Sequence, residues 1–174
     1  MAGRGIVWER VCNNSRNKLQ LDGRIHWMPM HPPVLKIGPG KKANKGSFLA
    51  VRTGKGPPDW IALHKGLSIL GDDKDSKGNR WSTWNLKKHQ AEAFDRHEKQ
   101  QGISCVLLRM KDHSRWCIPW VMLKPFWTNR ATIGIEDLES MGAFKWQKKE
   151  SQHPNYDWLT PLLQWIKENE VIDA

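Results

Sequence analysis

The stretch 57–74 constrains this chain more than any other. It opens on Pro58-Asp59, crosses two short apolar runs joined at Lys65-Gly66, and closes in Asp72-Asp73-Lys74. Two β-prone runs separated by a two-residue turn read as a hairpin, residues 59–64 against 67–74. Facing residues in such a hairpin keep a constant index sum, here 131, which sets Asp72 opposite Asp59. Side chains alternate along a strand, so Lys74 shares the face of Asp72 while Asp73 points to the other. Directly opposed positions hold their Cβ atoms roughly 4.5–5.5 Å apart. Two carboxylates at that spacing repel, whereas a hard cation such as Mg²⁺ takes both as oxygen ligands. A lysine beside them can hold an attacking water or offset charge developing on a phosphate. The plainer alternative is a charged hairpin end, and the remainder of the chain has to choose.

Charge supplies a substrate class. The 174 residues carry a net charge of +10, of which residues 1–58 hold +9 and the other 116 only +1. Such asymmetry points to a polyanion, and nucleic acid precedes membrane because no basic amphipathic helix is evident. Lys36, Lys41, Lys42, Lys45, Arg52 and Lys55 fall in one stretch without an acid, broken by Gly38, Pro39, Gly40, Gly46 and Gly54. This stretch reads as an irregular basic excursion with a small apolar centre at 47–51, a grip on phosphates. No apolar run nears membrane-spanning length and no signal-like segment opens the chain, so a soluble cytoplasmic protein is expected, in the host cytoplasm if viral. Cys12, Cys105 and Cys117 lack metal-ligand spacing and their odd number argues against a disulfide framework. A zinc enzyme is disfavoured on the same ground.

In chain order, residues 1–4 read as an arm and 5–13 as a helix, with Ile6, Glu9 and Asn13 on one face. Gly23 reads as a helix terminator and 25–29 as a first strand stopped by prolines. Residues 75–84 read as polar turns, and a helix is expected over 85–101, capped by Asn85, with Leu86, Gln90, Ala93, Phe94 and His97 on its inner face. A central strand at 103–109, an edge strand at 115–120, and helices near 135–141 and 157–170 complete the reading. Length and the lack of repeats suggest one domain over 1–174, with the basic segment at about 36–56 as an insertion.

The hairpin carries the Pro-Asp, spacer, Asp/Glu-x-Lys pattern of the PD-(D/E)xK nucleases, and its flanks are similar to one group among them. Gly3-Arg4-Gly5 followed by Glu9 and Asn13, Ile25-His26 leading to Pro32-Pro33, Asn85-Leu86-Lys87-Lys88-His89-Gln90 before a helix, Ile133-Gly134-Ile135 and Tyr156-Asp157-Trp158-Leu159 occur in the order of the RecU-type Holliday junction resolvases, which the chain resembles from end to end. The resemblance implies an α/β, restriction-endonuclease-like core, a central mixed sheet flanked by helices with a protruding basic stalk. It implies that Glu9, Asp59 and Asp72 hold one or two Mg²⁺, with Mn²⁺ as a substitute, that Lys74 assists the attacking water, and that Gln90 supports the site. It further implies a homodimer acting on branched DNA, gripped by Arg4 and the basic residues of 36–55. Asp72 stands where the family usually has Glu, and Pro58 where Thr or Ser is common. Two alternatives stay open: a related nuclease with another DNA substrate, and a DNA-binding module with a dead site.

Overall fold

The computed structural model describes residues 4–39, 48–148 and 156–169, the side chains of 4–6, 36–39, 48–50, 52, 147, 148 and 156 excepted. The elements run α1 (Arg4–Leu21), β1 (His26–Pro29), β2 (Val34–Pro39), β3 (Phe48–Arg52), β4 (Trp60–His64), β5 (Leu67–Asp75), β6 (Arg80–Ser82), a 3₁₀ turn (Thr83–Asn85), α2 (Lys88–Glu98), β7 (Ile103–Arg109), β8 (Arg115–Pro119), α3 (Trp120–Thr128), β9 (Thr132–Gly134), α4 (Ile135–Ser140), β10 (Phe144–Lys145), β11 (Gln147–Lys148), β12 (Tyr156–Asp157) and α5 (Leu159–Glu168).

Six strands form one mixed sheet in the order β1-β4-β5-β7-β8-β10. β5 and β7 run parallel, and the other neighbours are antiparallel. The β4–β5 hairpin has the expected register, with Trp60 opposite Gly71 and His64 opposite Leu67. Its turn residues Lys65 and Gly66 both have positive φ, 46° and 87°. Two left-handed residues match the twist of the flanking strands and lock this register. Gly71 is obligatory for another reason: a Cβ there would lie 1.9 Å from the Trp60 ring, which crosses it.

Alternation along the strands divides the core between the two sheet faces. On one face Trp60, Ile69, Cys105, Leu107 and Cys117 meet Trp8, Cys12 and Leu19 of α1 and Leu159, Leu162, Trp165 and Ile166 of α5. On the other, Leu70, Val106, Leu108, Trp116 and Ile118 meet Ala91 and Phe94 of α2, Leu123 of α3 and Leu138 of α4. All three cysteines are buried and free. β7 is buried along its whole length, as a strand covered on both faces should be.

Several boundaries differ from the sequence reading. Helix α1 is one element reaching Leu21, because its buried stripe Trp8-Cys12-Ser15-Leu19 continues past Asn13. It ends at Gly23, φ +68°, with the Arg24 N–H closing back onto the Leu19 carbonyl at 2.9 Å. The opening arm, residues 1–3, lies outside the described residues, whereas Arg4 already belongs to α1. The segment from Val34 is a strand, not irregular chain: β2 pairs antiparallel with β3, and a register shift between Lys36 and Gly38 leaves Ile37 as the extra residue. Residues 80–82 are a strand paired with β9, where turns were expected. The residue before α2 is Lys87 and not Asn85, which sits in the 3₁₀ turn. Strand β8 is not the sheet edge, because β10 pairs with Trp116 and Cys117. Pro119 is tolerated as the last residue of β8, beyond that pairing. Helix α3, which holds Pro125, was unforeseen.

Candidate active site

Asp59 ends the turn into β4, and its Oδ2 accepts the Asp73 N–H at 2.8 Å. That bond ties the carboxylate to the strand opposite, beside Asp72. Asp72 is fully buried, and the parity of β5 sends it and Lys74 to the face covered by α2. The Lys74 Nζ donates to Asp72 Oδ1, and Gln90 Nε2 donates to Asp72 Oδ2. Gln90 Oε1 lies 3.4 Å from the Lys74 Nζ and accepts the Lys87 N–H at 3.0 Å. One amide therefore caps the first turn of α2 and fixes Asp72 together with its lysine. The inner-face position of Gln90 follows from the helix period, and its polar head meets Asp72 and Lys74 on β5.

Burial pushes the Asp72 carboxyl up to about 7; Lys74 opposes this, and the nearby Asp59 charge adds to it. Partial loss of water raises Asp59 as well; the Asp73 N–H opposes that rise, the Asp73 charge adds to it and Lys74 lowers it. A buried carboxylate with an exposed second one beside it forms a donor set suited to a hard cation. Asp59 and Asp72 would hold such an ion; Lys74 and Gln90 would orient Asp72.

Asp73 has a different role. It faces α1, where Arg16 donates two bonds to it, at 3.0 and 2.8 Å, and the Trp60 indole donates at 2.9 Å. The Arg16 guanidinium also lies 4.9 Å from the ring centroids of both Trp27 and Trp60. Asp73 is thereby neutralised inside the fold. Arg16 escaped the sequence reading, although a signal existed: it follows Cys12 by one turn on the buried stripe of α1, and a cation there requires a buried acid.

Glu9 is exposed on α1. It lies one turn before Asn13, whose Oδ1 accepts from Arg16 at 2.6 Å, so the stripe Glu9-Asn13-Arg16 ends on Asp73. Trp8 beside it lies under Arg109, which pairs with Asp75 just past Lys74, so this part of α1 is at the Lys74 end of the sheet. Among the described residues no group of three or more His, Cys, Asp or Glu side chains is assembled, so Glu9 is not gathered with Asp59 and Asp72. Of the basic residues, Lys55 is exposed; Lys36 and Arg52 lie in β2 and β3 and Arg4 in α1, their side chains outside the described set. Lys41, Lys42 and Lys45 lie outside the described residues altogether. No helix among those described is long and apolar enough to cross a membrane.

A mixed sheet whose β4–β5 hairpin sets two carboxylates and a lysine against a glutamine of α2 has the residues of a metal-assisted hydrolase. The chain belongs to the RecU family, described as Recombination protein U, whose profile matches residues 3–167. No curated protein sequence matches it. Among solved structures, the Hjc Holliday junction resolvase of the archaeal hyperthermophile Archaeoglobus fulgidus aligns at 12% identity with a TM-score of 0.49, covering 79% of this chain and 94% of that one.

Proposed function

We propose that this protein is a structure-selective endonuclease that resolves four-way DNA junctions as a homodimer, hydrolysing phosphodiesters with Mg²⁺. The observation that carries the reading is Asp59 set beside Asp72 with Lys74 and Gln90 on the same face, in a chain of the RecU family. A divalent cation on the two aspartates would offset charge developing on the phosphate and make water a better nucleophile. Gln90 and Lys74 keep the Asp72 carboxylate in one orientation, so no reorganisation is needed when substrate arrives. The Lys74 ammonium adds a positive charge aimed at the phosphate and positions the attacking water. Glu9, one turn before Asn13 on α1, is the candidate for a further, outer contribution to the ion.

Arg4, Lys36, Lys41, Lys42, Lys45, Arg52 and Lys55 would supply phosphate affinity that weakens steeply with salt. Specificity for a branched shape would come from the geometry of two protomers rather than from base contacts. The test is cleavage of a synthetic four-way junction beside a linear duplex of the same sequence, with Mg²⁺ and with chelator. Symmetric nicking of the junction alone, dependent on Mg²⁺, is expected. Equal cutting of the duplex would replace the reading by a nuclease of another substrate, and binding without cutting would leave a DNA-binding module.

A further inference from the structure

On the α2 side of the sheet, an open pocket of about 460 Å³ is lined by Trp84, Leu86, Lys87, Lys88, Trp127 and Arg130, among others. Its composition is unusual for the surface of this protein. Trp84 is 46% exposed, whereas most of the described tryptophans are buried. The Arg130 guanidinium lies 4.0 Å from the centre of the Trp84 ring, so an aromatic plane and a cation come as a unit. Lys87 and Lys88 add two cations, the second weakly countered by Glu92 at 3.8 Å, and among the described residues no acid lines the pocket.

The walls are braced. The Thr83 N–H and Oγ1 both donate to the Ala131 carbonyl, at 3.1 and 2.9 Å. The Trp127 indole donates to the Leu86 carbonyl at 2.9 Å. Arg130 is held at φ +55°, a left-handed conformation uncommon for a residue with a Cβ, by its N–H bond to the Trp127 carbonyl at 3.0 Å. The pocket is linked to Asp72 through one side chain, because the Lys87 N–H bonds to the same Gln90 that holds Asp72.

We propose that this pocket binds a nucleotide of the DNA strand beside the cleavage site, its base stacked on the Trp84–Arg130 unit and its phosphate held by Lys87 and Lys88. Aromatic and guanidinium planes accept any base, and the surrounding cations select a polyanion over an apolar peptide. This inference rests on the junction-endonuclease reading, and it deepens that reading by naming a strand-holding site outside the basic segment of residues 36–55.

The experiment measures binding of a fluorescently labelled four-way junction in chelator, then cleavage in Mg²⁺, for the native protein and for Trp84→Ala, Trp84→Leu and Trp84→Phe. Loss of one stacked base predicts about tenfold weaker junction binding for the alanine and leucine variants, with recovery in the phenylalanine variant. Because leucine keeps apolar bulk without a ring, it separates stacking from any loss of packing. A scan of single abasic sites around the cut should find one position that weakens the native protein and leaves Trp84→Ala unchanged. Junction binding within about twofold of native for both alanine and leucine variants overturns the proposal and assigns the pocket to a protein partner. If the native protein does not cut the junction but the variants lose DNA binding, the nuclease reading fails and the pocket stands. If the native protein cuts and the variants bind as it does, only the pocket fails.

Discussion

Asp72 and Asp73 are chain neighbours of identical chemistry, yet the two faces of β5 give them opposite duties. Asp73 meets Arg16 and the Trp60 indole, and its pair is almost sealed from water. Burial disfavours the Arg16 cation, but the Asp73 charge and hydrogen bonds outweigh that and hold its pKa above the ordinary value. Asp72 is buried just as deeply, but its surroundings compensate it less, and its carboxyl rises to about 7. A satisfied buried carboxylate is structure; an under-compensated one beside a second carboxylate is the candidate site. Side-chain parity, set by the Lys65-Gly66 turn, decides which is which.

Neutralising each acid in turn separates the two roles. Asp72→Asn and Asp59→Asn should each lower junction cleavage by about three orders of magnitude or more while junction binding persists. Asp73→Asn should instead act on the fold: breaking a buried pair and leaving Arg16 uncompensated costs about 3–5 kcal/mol, read by denaturant unfolding. Its folded fraction should retain the metal dependence of the native protein.

Asp72→Asn should go the other way in stability when metal is absent. A carboxyl raised from 3.8 to about 7 on folding imposes a penalty that is absent below the lower value and complete above the upper. In chelator the variant should therefore gain about 2 kcal/mol over native at pH 8, less than the full shift because Lys74 loses its counter-charge, and the gain should shrink steadily toward pH 5. Metal affinity of the native protein should rise over the same interval. The smallest effect is expected for Glu9→Gln, about tenfold in cleavage and recovered at higher Mg²⁺, as suits a residue that acts from outside the aspartate pair.

The hairpin was legible in the sequence because its determinants are local: a two-residue turn, a period of two and a countable register. The buried helix faces were legible for a similar reason, as Leu162, Trp165 and Ile166 of α5 show, with Trp158 just before it. What escaped depended on distant partners. Strand β6 is three residues long and exists through β9, some fifty residues away. Helix α3 begins directly after Pro119, contains Pro125 and is apolar enough to resemble a strand. Asp73 could be assigned to the opposite face by counting, but its neutralisation by Arg16 could not, since the two are joined only when α1 lies on the sheet. Gln90 was placed on the right face from its period; its bond to Asp72 required the 3₁₀ turn that sets the start of α2 at Lys88.

The most direct test is one time course: native protein, Asp72→Asn and Asp73→Asn, each with a labelled four-way junction and Mg²⁺, with the folded fraction of each measured in parallel. Cleavage per folded molecule near native is expected for Asp73→Asn and none detectable for Asp72→Asn. Cleavage by Asp72→Asn at the native rate, or its loss in fully folded Asp73→Asn, would contradict the assignment of the two faces.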